Sequence, residues 1–272
     1  MIEVVALSEI YPSKSCRVVA LVLFSMLFFQ LAGCDNYIED EYDNPVLHLQ
    51  HEPYSLGASD AQAVMEKAML YRRDSDKFFR PILKREGLSY QIQNLVLLVL
   101  KREKEIQLYT HQGSHWHYIV SIRIRALSGH AGPKLKQGDM QVPEGIYRIM
   151  DFNPHSHFHL SMGINYPNQF DVERARAEGR DNLGDDIYIH GNAVSAGCVA
   201  IGNAGINVLF PLAVELGVKR QVVIIAPYDF RVHSPGAQVS SANPWLQHLY
   251  SDLVRYMTLL PVPKRDHVVR FL

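Results

Sequence analysis

Leu95-Val96-Leu97-Leu98-Val99-Leu100 is a run of six apolar residues, closed by the charged stretch Lys101 to Glu105. A short apolar run bounded in this way suits a strand buried within a sheet, with the charged stretch as a turn. Ile106, Leu108 and Tyr109 read as a second strand, and Tyr118 to Arg125 alternates apolar and polar residues as a third. Further strands are expected at Gly145 to Ile149, His157 to Met162 and Ile187 to His190, with a closing strand at Val222 to Ala226. The chain therefore predicts a β-rich α+β domain built from hairpins.

Helices flank it. Ser59 to about Arg85 reads as a helix that Ser59 or Asp60 can cap, and Pro81 is expected to break or kink it. Its basic residues, Arg72, Arg73, Lys77, Arg80, Lys84 and Arg85, read as a solvated face. Ile206 to Leu216 reads as a helix ended by Gly217, with Pro211 marking its first turn. From Asn243 to Leu260, Trp245, Leu246, Leu249, Leu253 and Met257 recur at helical spacing, which predicts an amphipathic helix packed on the core. The 272 residues, 47% hydrophobic, suffice for one sizeable core with appendages or for two small domains. A net charge of −1, from 27 basic and 28 acidic residues, gives no nucleic-acid footprint.

Chemistry concentrates in Ile189-His190-Gly191-Asn192-Ala193-Val194-Ser195-Ala196-Gly197-Cys198, where His190 stands eight residues before Cys198. A thiolate is a strong nucleophile, and an imidazole can take its proton and later return it to a leaving group. Gly197 permits close backbone approach to a reacting carbonyl, and N–H groups of the turn can hold an oxyanion. The pattern is a candidate Cys-His acyl-transfer site.

The His-Gly…Ser-x-Gly-Cys string resembles the signature of the L,D-transpeptidase (YkuD-like) family of cell-wall enzymes. Upstream, Gly132-Pro133-Lys134, Gly138-Asp139, Pro143-Glu144-Gly145-Ile146-Tyr147, Asn153-Pro154 and Tyr166-Pro167-Asn168-Gln169-Phe170-Asp171 extend the resemblance to a short-gap branch, over roughly Leu95 to Pro227. The resemblance implies Cys198 as nucleophile and His190 as general base, with the imidazole oriented by a backbone carbonyl. It places Ser195, Gly197 and Gly191 in the site loop, and Tyr166, Asn168 and Asp171 near the substrate groove. Ser195 is read equally as a loop brace, a substrate contact or a turn-stabilising hydroxyl, and Tyr147 and Asn153 equally as core or turn residues. Peptidoglycan stem peptides are the implied substrate, with no cofactor and no metal. Many members carry an arginine two residues after the cysteine, a natural carboxylate clamp; here that position is Ala200. Related enzymes also hydrolyse wall-attached peptides, so the acceptor is left open between an amine and water.

The N-terminus predicts the compartment. Lys14 and Arg17 precede an apolar run from Val18 to Phe29, then Leu31-Ala32-Gly33-Cys34. This is the layout of a secretory signal, and the run is short for a spanning helix. Leu-Ala-Gly-Cys resembles a lipoprotein lipobox, which implies cleavage before Cys34, diacylation of Cys34 and membrane attachment on the periplasmic side. Asp35 favours the inner membrane over the outer. Cys16 then lies in the leader and Cys34 is lipidated, which leaves Cys198 as a lone thiol in an oxidising compartment. The expected organisation is residues 1–33 signal peptide, 34–58 lipidated tether, 59–90 helical segment, 91–228 catalytic domain, and 229–272 linker and helix.

Two readings compete. His155, His157 and His159 alternate, so on a strand they share one face and open the possibility of a zinc hydrolase. A non-catalytic, peptidoglycan-binding lipoprotein is the other reading. The presence of both His190 and Cys198 weighs against it.

Overall fold

The computed structural model describes residues 58–236, 244–264 and 268–271. The expected signal peptide, the lipobox with Cys34, and all but the last residue of the expected tether lie outside the described residues.

Chain order begins with helix α1 (Ala58–Arg85), followed by strands β1 (Leu95–Leu100), β2 (Glu105–Gln112), β3 (His115–Arg123), β4 (Ala126–Leu127), β5 (Gly145–Asn153) and β6 (Ser161–Ile164). Helix α2 (Gln169–Ala177), β7 (Tyr188–His190), β8 (Val199–Ala200), helix α3 (Gly202–Leu216), β9 (Gln221–Ala226), helix α4 (Trp245–Met257) and β10 (Val268–Val269) complete it. The strands form one mixed sheet in the order β10-β3-β2-β1-β9-β5-β6-β7-β8-β4. This is the expected β-rich α+β class with flanking helices.

The apolar run of β1 explains the layering. Leu95, Leu97 and Val99 enter one core together with Phe79, Ile82 and Leu83 of α1 and Leu209 and Phe210 of α3. Val96, Leu98 and Leu100 enter a second core on the opposite face, with Leu249, Leu253 and Met257 of α4. A strand covered on both faces has no use for a polar residue, which is why this run has none. β9 repeats the pattern, and it is central rather than closing: it lies parallel to β1 and antiparallel to β5.

β5 carries the sheet around to the site. Its first half, Gly145 to Arg148, pairs with β9, and its second half, Ile149 to Asn153, pairs with β6 across an irregular register at Ile149/Asp151. Such an irregularity bends a strand and lets one strand serve two sheet segments. Beyond it, β6 pairs with β7, and β7 pairs in parallel with β8.

Three local expectations are corrected. Pro81 lies inside α1, which continues to Arg85 because Ile82 and Leu83 of that last turn are buried. Tertiary packing there outweighs one lost backbone hydrogen bond. Helix α3 starts at Gly202 and not near Pro211, which lies buried within it. The expected turn stands at residues 101–104, and within it the Lys101 side chain is 2% exposed and bridges to Glu144 at 2.9 Å. The expected strand from His157 is absent, because residues 154–160 form turns and β6 begins only at Ser161. His155, His157 and His159 therefore share no strand face, and among the described residues no cluster of three metal-ligating side chains forms.

Candidate active site

β7 ends on His190 and β8 begins immediately after Cys198. Ile189 pairs with Val199 and His190 with Ala200, so the parallel ladder aligns the ends of the His-to-Cys loop on neighbouring strands. At a rise of roughly 3.3 Å per residue, the Cys198 backbone stands about two residues from the level of His190. The two residues singled out from sequence thus stand at the two ends of one loop whose flanking strands are paired.

His190 is 1% exposed. Its Nδ1 lies 2.6 Å from the carbonyl oxygen of Gly191. A carbonyl only accepts, so Nδ1 carries the proton and Nε2 presents a lone pair. Burial lowers the imidazole pKa, opposed by the Gly191 hydrogen bond. Phe158 covers the ring at a centroid distance of 4.7 Å. Gly191 has no alternative at its position: a Cβ there would lie 2.6 Å from the Phe158 carbonyl and 2.7 Å from Asn203 Oδ1.

Cys198 is partly buried and forms no disulfide among the described residues. Its thiol donates to the Asp186 carbonyl at 3.5 Å. Burial raises the thiol pKa; the Tyr188 N–H lowers it, the Asp186 charge raises it, and the Lys134 ammonium lowers it. The resting pair is consequently a neutral thiol and a neutral imidazole.

The loop before Cys198 is braced by hydroxyls. Ser195 Oγ donates to the Cys198 carbonyl at 2.7 Å and accepts from Ser128 N–H at 3.1 Å. The Ser128 and Ser195 hydroxyls share a hydrogen bond of 3.0 Å, and Gly197 N–H donates to Ser128 Oγ at 2.7 Å. Ser195 is thus a brace of the cysteine loop, and the Gly197 N–H is already occupied. Gly197 has a φ of 115°, which disfavours any other residue, and its Cα faces the Gln141 carbonyl closely enough that a Cβ would lie 3.2 Å away.

The segment between β4 and β5 supplies this brace and is itself fixed from below. Glu144 Oε1 accepts from Lys101 Nζ at 2.9 Å and from Gly132 N–H at 2.7 Å; Oε2 accepts from Tyr250 of α4 at 2.7 Å. Lys101 also donates to the carbonyls of Gly132 and Val142. Lys134 pairs with Asp139 at 2.7 Å.

Tyr166 is 5% exposed, and its hydroxyl donates to the Leu183 carbonyl at 3.1 Å. Asn168 caps α2 in a reciprocal capping box with Asp171 and donates to the Ile146 carbonyl. Burial pushes the Asp171 carboxyl up to about 6, against the pull of Asn168 N–H and Tyr147. Tyr147 is a core residue at 1% exposure, and Asn153 accepts from His155 N–H at the end of β5. Ala200 is fully buried between His190 and Ala126 in the sheet, and its methyl group offers a substrate no charge.

Residues 94–225 match the sequence model of the L,D-transpeptidase catalytic domain, YkuD. The match covers just under half of the chain. Over 137 residues the chain is 34% identical to YafK of Escherichia coli (strain K12), provisionally named an L,D-transpeptidase, covering 49% of this chain and 53% of YafK. The chain thus spans about half the length of the curated relatives it matches. Among solved structures, the helical cell shape determining protein Pgp2 from Campylobacter jejuni is similar at 17% identity and a TM-score of 0.41, over 65% of this chain and 73% of that one. L,D-transpeptidase 1 of Mycobacterium tuberculosis is similar at 10% identity and a TM-score of 0.30, over 49% and 62%.

Within the matched segment, sequence reading singled out His190 and Cys198 and missed the groups that hold them. Ser128, Asp186, Tyr188 and Phe158 carry no local signal. Ser128 meets Ser195 and Gly197 across 67 and 69 residues of chain, a contact that only strand pairing creates. Lys134 was legible as part of a loop, but its charge effect on Cys198 was not.

Proposed function

We propose that this chain performs cysteine-dependent acyl transfer on peptidoglycan stem peptides, with Cys198 as nucleophile and His190 as base. The observation that carries the reading is the Nδ1 hydrogen bond from His190 to Gly191, which leaves Nε2 free to accept a proton, in a loop that also ends on a partly buried free thiol. The thiol exchanges its bond to the Asp186 carbonyl for one to Nε2. Sγ then attacks a peptide carbonyl as its proton passes to Nε2. The tetrahedral intermediate collapses, the C–N bond breaks, and the imidazolium protonates the departing amine. An acceptor gives its proton to Nε2 and attacks the thioester; the sulfur leaves and recovers that proton.

An amine acceptor yields a joined peptide and water yields a cleaved one, both through the same acyl-enzyme. The lipobox at Leu31 to Cys34 supports attachment of the domain to the periplasmic face of a membrane through Cys34, and Asp35 supports the inner membrane. The testing experiment incubates purified stem peptides with the protein and resolves products by mass spectrometry. Joined products that lack a terminal residue support transpeptidation; products that gain water support hydrolysis. Turnover by a folded Cys198→Ala protein overturns both.

A further inference from the structure

Gly191, whose carbonyl accepts the His190 Nδ1 proton, is gripped by three successive residues of the turn before β6. A Cβ at Gly191 would lie 2.6 Å from the Phe158 carbonyl oxygen and 3.1 Å from His159 Cβ, so both lie against its Cα. Gly191 N–H donates to the Leu160 carbonyl at 3.1 Å. The orientation of the imidazole is therefore set by where this turn stands. Phe158 of the same turn lies over the ring at 4.7 Å.

Residues 154–160 lie outside the β5–β6 ladder, which ends at Asn153 and Ser161. The side chain that ties them to the helices is His159. Its backbone is left-handed, at a φ of 81°. A residue other than glycine keeps that conformation only where its surroundings over-determine it. The ring reaches two helices: Nε2 lies 2.6 Å from Asn207 Oδ1 of α3, and Tyr71 of α1 meets it edge-on at 5.6 Å between centroids. An amide oxygen only accepts, so Nε2 carries the proton and donates. The two helices are tied in turn by Ser75 Oγ, which donates to the Val208 carbonyl at 2.8 Å. A directional bond to a helix thus fixes the ring, and the ring is joined to the Cβ that rests on Gly191.

We propose that Asn207 and His159 are positioning residues for the base: Asn207 anchors the His159 ring, His159 sets the turn against Gly191, and the Gly191 carbonyl holds the His190 imidazole with Nε2 left to accept a proton. The proposal rests on the reading of His190 as a base and names the residues on which that role depends. Neither residue touches a reacting atom. A plain brace between α3 and a turn would change only the stability of the fold. A positioning pair also changes which nitrogen of His190 carries the proton and how far water reaches the ring.

The test follows the His190 ring nitrogens by NMR in the full chain with nitrogen-labelled histidine. The His190 signals are identified by their loss in His190→Gln. In the unsubstituted protein Nδ1 is expected to be protonated and Nε2 bare at neutral pH; a proton on Nε2 instead overturns the proposal outright. Asn207→Leu keeps the bulk and removes the acceptor. It is expected to mix the two tautomers and to raise the His190 pKa toward that of an exposed imidazole. His159→Phe keeps a ring against Tyr71 without the donor and should behave in the same way. Asn207→Asp retains an acceptor oxygen and should retain the Nδ1 tautomer. Thermal melting checks that each variant is folded. In turnover, Asn207→Leu should lower kcat about tenfold with KM within about twofold, and move the acid limb to higher pH. An unchanged His190 tautomer and pKa in folded Asn207→Leu or His159→Phe overturns the proposal, as does loss of the Nδ1 tautomer in Asn207→Asp. The chemistry is scored separately, by thioester formation at Cys198 in the unsubstituted chain. Thioester formation with an imidazole that the variants leave unchanged keeps the acyl-transfer reading and removes the positioning pair. A changed imidazole without any thioester does the opposite.

Discussion

The hydroxyl of Ser195 donates to the carbonyl of Cys198 at 2.7 Å, so the residue that shapes the loop is tied to the backbone of the proposed nucleophile. Ser128 completes the tie from a distant strand end by accepting from Gly197 N–H. Ser128→Ala leaves two groups without that partner, at a cost of about 1–3 kcal/mol in local stability. Because a small misplacement of a nucleophile is expensive in rate, kcat should fall by about tenfold to a hundredfold. Ser128→Thr, which keeps the hydroxyl, should retain most of it. Steady-state kinetics on the two variants, with thermal melting as a folding check, measure this.

The thiol itself should behave as a protonated group near neutral pH. Its pKa is raised by burial, with the Asp186 charge acting the same way and Tyr188 N–H and Lys134 opposing. Only the thiolate is alkylated, so iodoacetamide labelling of Cys198 should be slow at neutral pH and climb through a midpoint above the usual thiol range. Lys134→Gln removes an opposing positive charge and should move that midpoint higher still.

Phe158 should set the acid limb of activity. His190 must be neutral to act as base, and burial lowers its pKa, so activity should persist below the pH at which an ordinary imidazole protonates. Phe158 lies over the ring and is itself 40% exposed. Phe158→Ala admits water to the imidazole, which raises its pKa and should shift the acid limb of kcat/KM toward higher pH.

The buried pair Lys101 and Glu144 should be a stability element on which the site depends. Both side chains are almost fully buried, and desolvation lowers the Lys101 pKa against the pull of Glu144. Removing one partner strands the other, so Lys101→Met should cost about 3–5 kcal/mol. The double variant Lys101→Met with Glu144→Leu should recover part of that, unless the bonds of Glu144 to Gly132 and Tyr250 dominate. Denaturant unfolding of the single and double variants reads the difference.

Legibility followed the range of the forces involved. The six-residue run of β1, the apolar stripe of α4 and the stop at Gly217 are local patterns with one physical solution, and each element stands where the sequence predicted it. The alternating histidines looked equally local, yet the chain turns there, with His159 at a φ of 81° and its Nε2 on Asn207. Alternation identifies a strand only where ladder partners exist. Lys101 stands in the turn that the sequence predicts, but its buried bridge to Glu144 was not legible, because that partner lies 43 residues onward. For the site, His190 and Cys198 were legible because their chemistry is carried by residue type. The Gly191 carbonyl, the Ser128 brace and the Asp186 contact were not, because backbone atoms and long-range contacts leave no mark on residue type.

The central claim is that Cys198 forms the acyl-enzyme with His190 as its base. Intact-protein mass spectrometry after brief exposure to a stem peptide tests it most directly. The account predicts a mass increase equal to the acyl fragment, localised to Cys198 by peptide mapping, absent in Cys198→Ala and formed far more slowly in His190→Ala. An adduct on another residue, or one formed equally fast without His190, would contradict it.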